Sequence, residues 1–267
     1  RTTLNRLIEV CRLVASKYTR SKVRKATAPD FSYIIEELLH NNYNDKNKTY
    51  YYTNIIDTII QVKRANAFII ALCNTIKRLI VDHLHIVGDI FDRGPRADII
   101  MDYIVKHHSI DIQWGNHDIV WMGAAAGSEA CIASVLSNSI VYNNLEFIEE
   151  GYGINLRKLA LFATDTYRDT DVSSFVPKKS VQKDMKDKDI LLIARMHKAI
   201  SIIKYKLEGQ LIKRNPEFGL DDRLLLDKID YEKKSVCINN EMYPLKDVDF
   251  PTVDRNNPYA FSRIKVI

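Results

Sequence analysis

Apolar residues recur at helical spacing over most of the first eighty positions. Leu4, Ile8 and Cys11 lie three or four residues apart, as on one face of an amphipathic helix. The segment from Asn54 to Leu79 keeps the same period, which predicts one long helix or two abutting helices. We therefore expect residues 1–80 to form a helix-rich N-terminal segment.

Two short apolar runs further along the chain, each followed by polar residues, predict strands. The first leads into the segment Gly88-Asp89-Ile90-Phe91-Asp92-Arg93-Gly94-Pro95, and the second leads into Gly115-Asn116-His117-Asp118. One helical stretch separates them, so the pattern predicts a βαβ unit with a right-handed crossover. The two polar segments then meet at the carboxyl edge of one parallel sheet, which is where open α/β sheets bind ligands.

Five side chains of these two motif segments suit the hydrolysis of a phosphate ester by hydroxide held on metal ions. The carboxylate of Asp89 can bridge two hard cations, and Asn116 offers a neutral amide oxygen. Asp92 can fix the tautomer of His117, which could then protonate the leaving alkoxide as a general acid. Arg93 can grip phosphate oxygens with its planar guanidinium. Either motif segment alone is more typical of a turn, but the two together indicate a catalytic site.

The two motif segments resemble the second and third signature blocks of the calcineurin-like metallophosphatases. The surrounding sequence, from Asn5 to about Tyr259, is similar to bacterial class 3 fructose-1,6-bisphosphatase. The resemblance implies an α/β fold, in which a metallophosphatase-type β-sandwich core is flanked by helices. We expect the helix-rich embellishment over residues 1–80, part of the catalytic core over 81–175, and a helix with a small β-hairpin appendage over 176–267.

The same resemblance implies an activity and a role for each side chain. The reaction is hydrolysis of the 1-phosphate of fructose 1,6-bisphosphate to fructose 6-phosphate, a step of gluconeogenesis, at a dinuclear Mn²⁺ site. Asp89 is expected to bridge the metals, and Asn116 to bind the second one. His117 is the expected general acid, Asp92 its partner, and Arg93 the ligand of the substrate phosphate.

One departure from the superfamily concerns the metal ligands. Its first signature block, Asp-x-His, is missing, and no histidine has glycine beside it. We therefore expect part of the dinuclear ligand set to be absent from this chain, and Asp118 to support the ligands rather than to touch the metals. Because the chain starts with Arg1, the simplest account is an interior piece of a longer protein, which alone should be inactive or nearly so.

Two other functions stay open at this point. Another calcineurin-like phosphatase, acting on a phosphoprotein or a dinucleotide polyphosphate, would carry the same motif segments. A non-catalytic binding or regulatory protein could keep the fold after losing metal ligands. The five intact side chains argue against the second alternative, because a lapsed site has no chemical need for all of them.

Charge and composition limit the partners. The formal charge of +5 is modest for 267 residues and does not call for a nucleic acid. The densest basic segment, Lys17–Lys25, is either a solvated helix face or an anion site for a second phosphate or an anionic effector. No apolar run approaches the roughly 18 residues of a membrane helix. Four widely separated cysteines favour reduced thiols in the cytoplasm, and a homo-oligomer is compatible with these features.

The last third of the chain changes from a helical to a strand-like pattern. Ile190–Leu211 has helical periodicity, whereas Leu224–Ile229 and Ser235–Ile238 alternate like strands. Asn239-Asn240 favours a turn before Met242-Tyr243. We predict a β-hairpin that is structural or interfacial rather than catalytic.

Overall fold

Helices dominate this protein, and two small β-sheets complete a mixed α/β fold. The computed structural model describes residues 1–39, 46–107, 109–179, 182 and 185–261. The chain forms two compact units, which are Arg1–Ile86 with Tyr103–Gln113, and Val87–Asp102 with Trp114–Ile267.

The first unit is built mainly from five helices, α1 (Thr2–Ala15), α2 (Arg20–Ala26), α3 (Ser32–Leu39), α4 (Lys46–Gln61) and α5 (Ala65–Ile80). The predicted apolar face of α1 is buried, with Leu4, Ile8 and Cys11 at most 2% exposed. This face packs with α5, whose Phe68 and Leu72 are fully buried. Burying one such side chain contributes about 1.5–3 kcal/mol, so the helical period of the sequence becomes the core of the unit.

The apolar segment predicted as one long helix or two abutting ones forms two. The first, α4, ends where Lys63 adopts a left-handed conformation with φ of 59°. The Arg64 N–H then donates to the carbonyl of Ile59, and the Lys63 N–H donates to the carbonyl of Ile60, both at 3.0 Å. This is the Schellman geometry of a helix end. Nothing in the hydrophobic pattern marks it, because glycine rather than lysine is the usual residue there.

The predicted βαβ unit is confirmed. Strands β1 (Leu84–Ile86) and β2 (Ile110–Ile112) pair in parallel, with Leu84 opposite Ile110. Helix α6 (Ala97–Val105) lies between them in the sequence. The two motif segments follow the carboxyl ends of these strands, as expected. The pair has only three residues in each strand, and the two small sheets of the described residues do not establish the expected β-sandwich.

The second unit contains most of the remaining helices, α7 (Asn116–Ala125), α8 (Glu129–Val141), α9 (Arg157–Thr166) and α10 (Asp187–Arg214). Both α8 and α9 pack against α10, and Ile140, Tyr167 and Ala199 are fully buried there. Helices α7 and α8 approach closely at Gly123, where an added Cβ would lie 2.6 Å from the Sγ of Cys131. Among the described residues, no helix is both long and apolar enough to span a bilayer.

The second unit also carries the predicted β-hairpin. Strands β3 (Ile229–Asp230), β4 (Ser235–Ile238) and β5 (Glu241–Pro244) form an antiparallel sheet in that order. The β4–β5 turn consists of Asn239 and Asn240, whose φ angles of 51° and 64° are those of a type I′ turn. The hairpin prediction is therefore confirmed.

The predicted strand over Leu224–Ile229 is wrong. Leu226–Lys228 forms a 3₁₀ turn, and only Ile229 of this segment pairs with β4. Leu224 and Leu226 are buried in a small apolar cluster. Their alternation thus reflects burial on one side of an irregular segment rather than a sheet face.

Candidate active site

The first motif segment begins with two residues in unusual conformations. Gly88 has φ of 96° and Asp89 has φ of 52°, a left-handed value that costs a non-glycine residue roughly 1–2 kcal/mol. In this conformation the Oδ1 of Asp89 accepts a hydrogen bond from the N–H of His117 at 3.2 Å. The unfavourable backbone conformation thus occurs at the residue that forms a direct hydrogen bond between the two motif segments.

Gly115 permits that contact. It is the N-cap of α7, and an added Cβ would collide with both the carboxylate and the backbone nitrogen of Asp89. The carboxylate therefore lies against the first turn of a helix, where unpaired N–H groups and the helix dipole favour negative charge.

Asp118 joins the two motif segments from inside the protein. Its carboxylate is buried, with Oδ1 accepting from the N–H of Phe91 at 3.1 Å and Oδ2 accepting from the N–H of Gly115 at 2.9 Å. One side chain thus satisfies a backbone donor in each motif segment. The sequence predicted only a supporting role for Asp118 beside the metal ligands, and the structure shows its carboxylate accepting from two backbone N–H groups.

Asp92, His117 and Arg93 lie together, as predicted. The Nε2 of His117 is 2.9 Å from the Oδ1 of Asp92, and the Nε of Arg93 is 3.4 Å from the same oxygen. This oxygen is buried and has no hydrogen-bond partner among the described residues. The two contacts are therefore ion-pair distances without hydrogen-bond alignment. Catalytic hydrogen bonds often align only when substrate is bound.

Arg93 also has neighbours that the sequence did not indicate. Its guanidinium carbon lies 5.1 Å from the centre of the Tyr142 ring, and its carbonyl accepts from the Nδ2 of Asn144 at 2.8 Å. Lys178 approaches the same ring, with Nζ 4.8 Å from its centre and 3.2 Å from its hydroxyl oxygen. These neighbours are distant in sequence from the motif segments, so no local pattern could have signalled them.

The oxygen donors present fit part of a metal site. Asp89 offers a carboxylate beside the start of α7, and Asn116 is the first residue of that helix, with an exposed amide. Such donors suit hard divalent cations, and the buried Oδ1 of Asp92, in the same motif segment as Asp89, lacks a hydrogen-bond partner among the described residues. Within the described residues, no group of three or more His, Cys, Asp or Glu side chains could hold a metal ion. Asp89 and Asn116 by themselves could therefore provide only part of the ligands of a metal ion.

His197 does not add to this ligand set. Its Nδ1 lies 3.0 Å from the carbonyl of Phe175, and its ring meets the Phe175 ring edge-on at 5.3 Å. Burial lowers the pKa of His197 below its ordinary value. These contacts indicate a structural histidine.

The basic segment Lys17–Lys25 contributes to a cavity of the first unit. Its Lys22 and Lys25 line a space of about 440 Å³ together with Arg78 and His83. Lys22 forms an ion pair with Asp82. Lys25 and Arg78 have no carboxylate partner among the residues that the structure describes. The cavity therefore has a surplus of positive charge.

A parallel βαβ unit with an Asp–His–Arg cluster after its strands defines an α/β protein suited to binding phosphate groups. The comparison with protein families is more specific. The model of the Firmicute fructose-1,6-bisphosphatase family matches residues 1–265, and the chain belongs to that family.

Curated relatives carry the name fructose-1,6-bisphosphatase class 3. The protein of Clostridium novyi (strain NT) is 58% identical over 260 residues, which are 97% of this chain and 39% of the relative. The protein of Alkaliphilus metalliredigens (strain QYMF) is 56% identical over 262 residues, which are 98% of this chain and 39% of the relative. The chain thus spans 39% of the length of these relatives. No solved structure matches the chain.

Proposed function

We propose that the protein containing this chain hydrolyses the 1-phosphate of fructose 1,6-bisphosphate to fructose 6-phosphate. Membership of the family carries the proposal. The cluster of Asp92, Arg93 and His117 supports it, because these groups suit a phosphate ester. The same findings favour this substrate over the phosphoprotein and dinucleotide alternatives, and favour an enzyme over a binding protein.

Each side chain has a separate task in the proposed reaction. Arg93 binds the oxygens of the phosphate that is transferred and neutralises their charge. His117 protonates the departing sugar oxygen, and Asp92 orients the imidazole and fixes its tautomer. Asp118 holds the two motif segments together, because its carboxylate accepts one backbone hydrogen bond from each of them.

We further propose that Asp89 and Asn116 are ligands of a dinuclear Mn²⁺ site. Part of the ligand set of this site is absent from this chain. Bound divalent cations would supply the activated water nucleophile and neutralise charge on the attacking and leaving oxygens. The N–H of His117 donates to the Oδ1 of Asp89 at 3.2 Å, which holds this carboxylate at the start of α7. This contact supports Asp89 as an oriented ligand.

The architecture of the whole enzyme is also a proposal. We propose that β1 and β2 belong to a larger metallophosphatase sandwich, with segments 1–80, 81–175 and 176–267 as embellishment, core and appendage. Parallel sheets are normally covered on both faces, and the 40% exposure of Ile112 supports further packing on this pair. We further propose that the whole protein is a cytoplasmic enzyme of gluconeogenesis. A homo-oligomer is compatible with this proposal.

The basic cavity of the first unit supports an additional anion site. We propose that Lys25 and Arg78 bind a small anionic effector there, since neither has a carboxylate partner among the described residues. Cavities of this size are typical of small-molecule sites.

The decisive experiment measures phosphate release from fructose 1,6-bisphosphate by the full-length protein with Mn²⁺. Asp89→Asn should lower the rate by about a hundredfold or more, because a bound metal is worth several kcal/mol to such a reaction. Asp102→Asn is the matched control, an exposed carboxylate of α6 that should leave the rate unchanged.

Removing metal with a chelator should abolish the release, and added Mn²⁺ should restore it. Release that persists in the chelator and in Asp89→Asn would contradict the metal-dependent mechanism. Folded, Mn²⁺-loaded protein that releases no phosphate from fructose 1,6-bisphosphate would contradict the substrate assignment.

A further inference from the structure

Two cations approach one aromatic ring beside the cluster of Asp92, Arg93 and His117. Arg93 and Lys178 lie 5.1 Å and 4.8 Å from the centre of the Tyr142 ring, and the Nζ of Lys178 donates to the Tyr142 hydroxyl. Arg93 is at the same time 3.4 Å from Asp92. Tyr142 therefore links the motif cation to a lysine that no motif contains. We refer to Arg93, Tyr142 and Lys178 as the cation platform.

The end of helix α8 holds the platform in place. Tyr142 is the C-cap of α8, and Asn143 follows it in a left-handed conformation with φ of 53°. The N–H of Asn144 donates to the carbonyl of Ser139 at 2.8 Å, which completes a Schellman end. The side chain of Asn144 then donates to the carbonyl of Arg93. One helix end thus positions the aromatic ring and ties it to the motif backbone.

The charge of the platform favours an anion. In the part of the chain that the structure describes, Lys178 has no carboxylate partner. The carboxylate nearest to Arg93 belongs to Asp92, which His117 shares. Lys178 and Arg93 are both exposed, and the one carboxylate near them is shared with His117, so the platform keeps a surplus of positive charge at the surface.

We propose that Lys178 binds the second, non-reacting phosphate of the substrate, while Arg93 binds the phosphate that is hydrolysed. This inference rests on the proposed function, because only a bisphosphate needs both cations. The flexible stem of lysine suits a phosphate as a compact point charge. The Tyr142 hydroxyl accepts from Lys178, so its own hydrogen remains available to a phosphate oxygen.

The test compares fructose 1,6-bisphosphate with fructose 1-phosphate, which lacks the second phosphate. Lys178→Gln in the full-length Mn²⁺ enzyme should raise the KM for the bisphosphate by about tenfold or more, with kcat nearly unchanged, because a charge-assisted hydrogen bond is lost. The same variant should leave both constants for fructose 1-phosphate unchanged. Lys178→Arg keeps the charge and should largely retain the KM.

The adjacent Lys179 provides the matched control. It is exposed, and Lys179→Gln removes the same charge one residue away from the platform. Tyr142→Phe should give a smaller rise of the KM for the bisphosphate. Equal effects of Lys178→Gln on both substrates, or an effect no larger than that of Lys179→Gln, would overturn the inference. A wild-type enzyme without bisphosphatase activity would instead overturn the proposed function on which it rests.

Discussion

At the scale of single residues, the candidate site depends on two positions with opposite conformational demands. Asp89 occupies a left-handed conformation that is unfavourable for a residue with a side chain. Its hydrogen bond to the N–H of His117, at the start of α7, offsets part of this cost. Gly115 has no such strain in its own φ angle, but it must lack a Cβ because the Asp89 carboxylate lies against it.

Gly115→Ala should therefore lower stability and activity together. The added methyl group forces Asp89 away from α7, so we expect a loss of about 1–3 kcal/mol in the free energy of unfolding and a large loss of Mn²⁺-dependent phosphate release. Gly94→Ala is the control in the same motif segment, since no atom lies within 4 Å of its added Cβ. Equal denaturation midpoints for the two variants would contradict the close approach of Asp89 and Gly115.

At the scale of elements, helix ends decide where side chains from different parts of the chain meet. Helix α4 ends at left-handed Lys63, α7 ends before Gly127 and α8 ends before Asn143. Glycine and asparagine are usual at such ends, and lysine is not. The first end could therefore not be located from residue type. The end of α8 matters most for function because it places Tyr142 beside Arg93.

Helix α10 holds the C-terminal segment through a buried lysine. The ammonium group of Lys206 donates to the carbonyls of Thr252 at 2.5 Å and Ala260 at 2.6 Å, and its side chain is fully buried. Nearby, the hydroxyl groups of Tyr167 and Thr252 are 2.8 Å apart. These long-range hydrogen bonds fasten an irregular segment to a regular helix.

Lys206→Met should weaken this attachment. It keeps the length of the side chain but removes the donor from two carbonyls, which we expect to cost about 2–4 kcal/mol in the free energy of unfolding. Hydrogen exchange of the backbone over residues 252–260 should become faster. Lys204→Met, on the same helix but partly exposed, is the control. Unchanged or higher stability of Lys206→Met would mean that the desolvation of the ammonium group outweighs its hydrogen bonds.

At the scale of the whole molecule, the placement of charge matters more than its total. The formal charge of +5 is small for 267 residues. Lys22, Lys25 and Arg78 nevertheless share one cavity with a single carboxylate, that of Asp82, in its lining. Helices α2 and α5 bring these cations together, although their sequence positions are far apart.

The proposed anion site can be separated from a general charge effect. Lys25→Gln with Arg78→Gln should weaken the binding of inorganic phosphate to the metal-free Asp89→Asn protein by about tenfold or more at low salt. Arg20→Gln with Lys77→Gln removes the same charge from the same two helices outside the cavity lining. Calorimetry gives the affinity, and hydrogen exchange of α2 locates it. Equal weakening in both pairs, or no binding by the parent, would contradict the site.

Local patterns allowed much of the fold and the core of the site to be predicted. The burial of Leu4, Ile8 and Cys11 follows from helical spacing, and the parallel β1–β2 pair follows from two apolar runs around one helix. The proximity of Asp92 to His117 follows from the βαβ rule. The wrong strand over Leu224–Ile229 has a simple cause, because alternating burial also occurs in an irregular segment that packs on a core.

The amino-acid sequence by itself determined the helix-rich character, the βαβ unit, the five motif side chains and the family to which they point. These features depend on spacing along the chain, where backbone geometry dictates which side chains share a face or a sheet edge. Only the tertiary structure decided that Asp118 bridges the motif segments, that Lys206 is buried, and that Lys178 meets Tyr142 beside Arg93. Such contacts join residues far apart in the chain, and packing rather than local periodicity selects them.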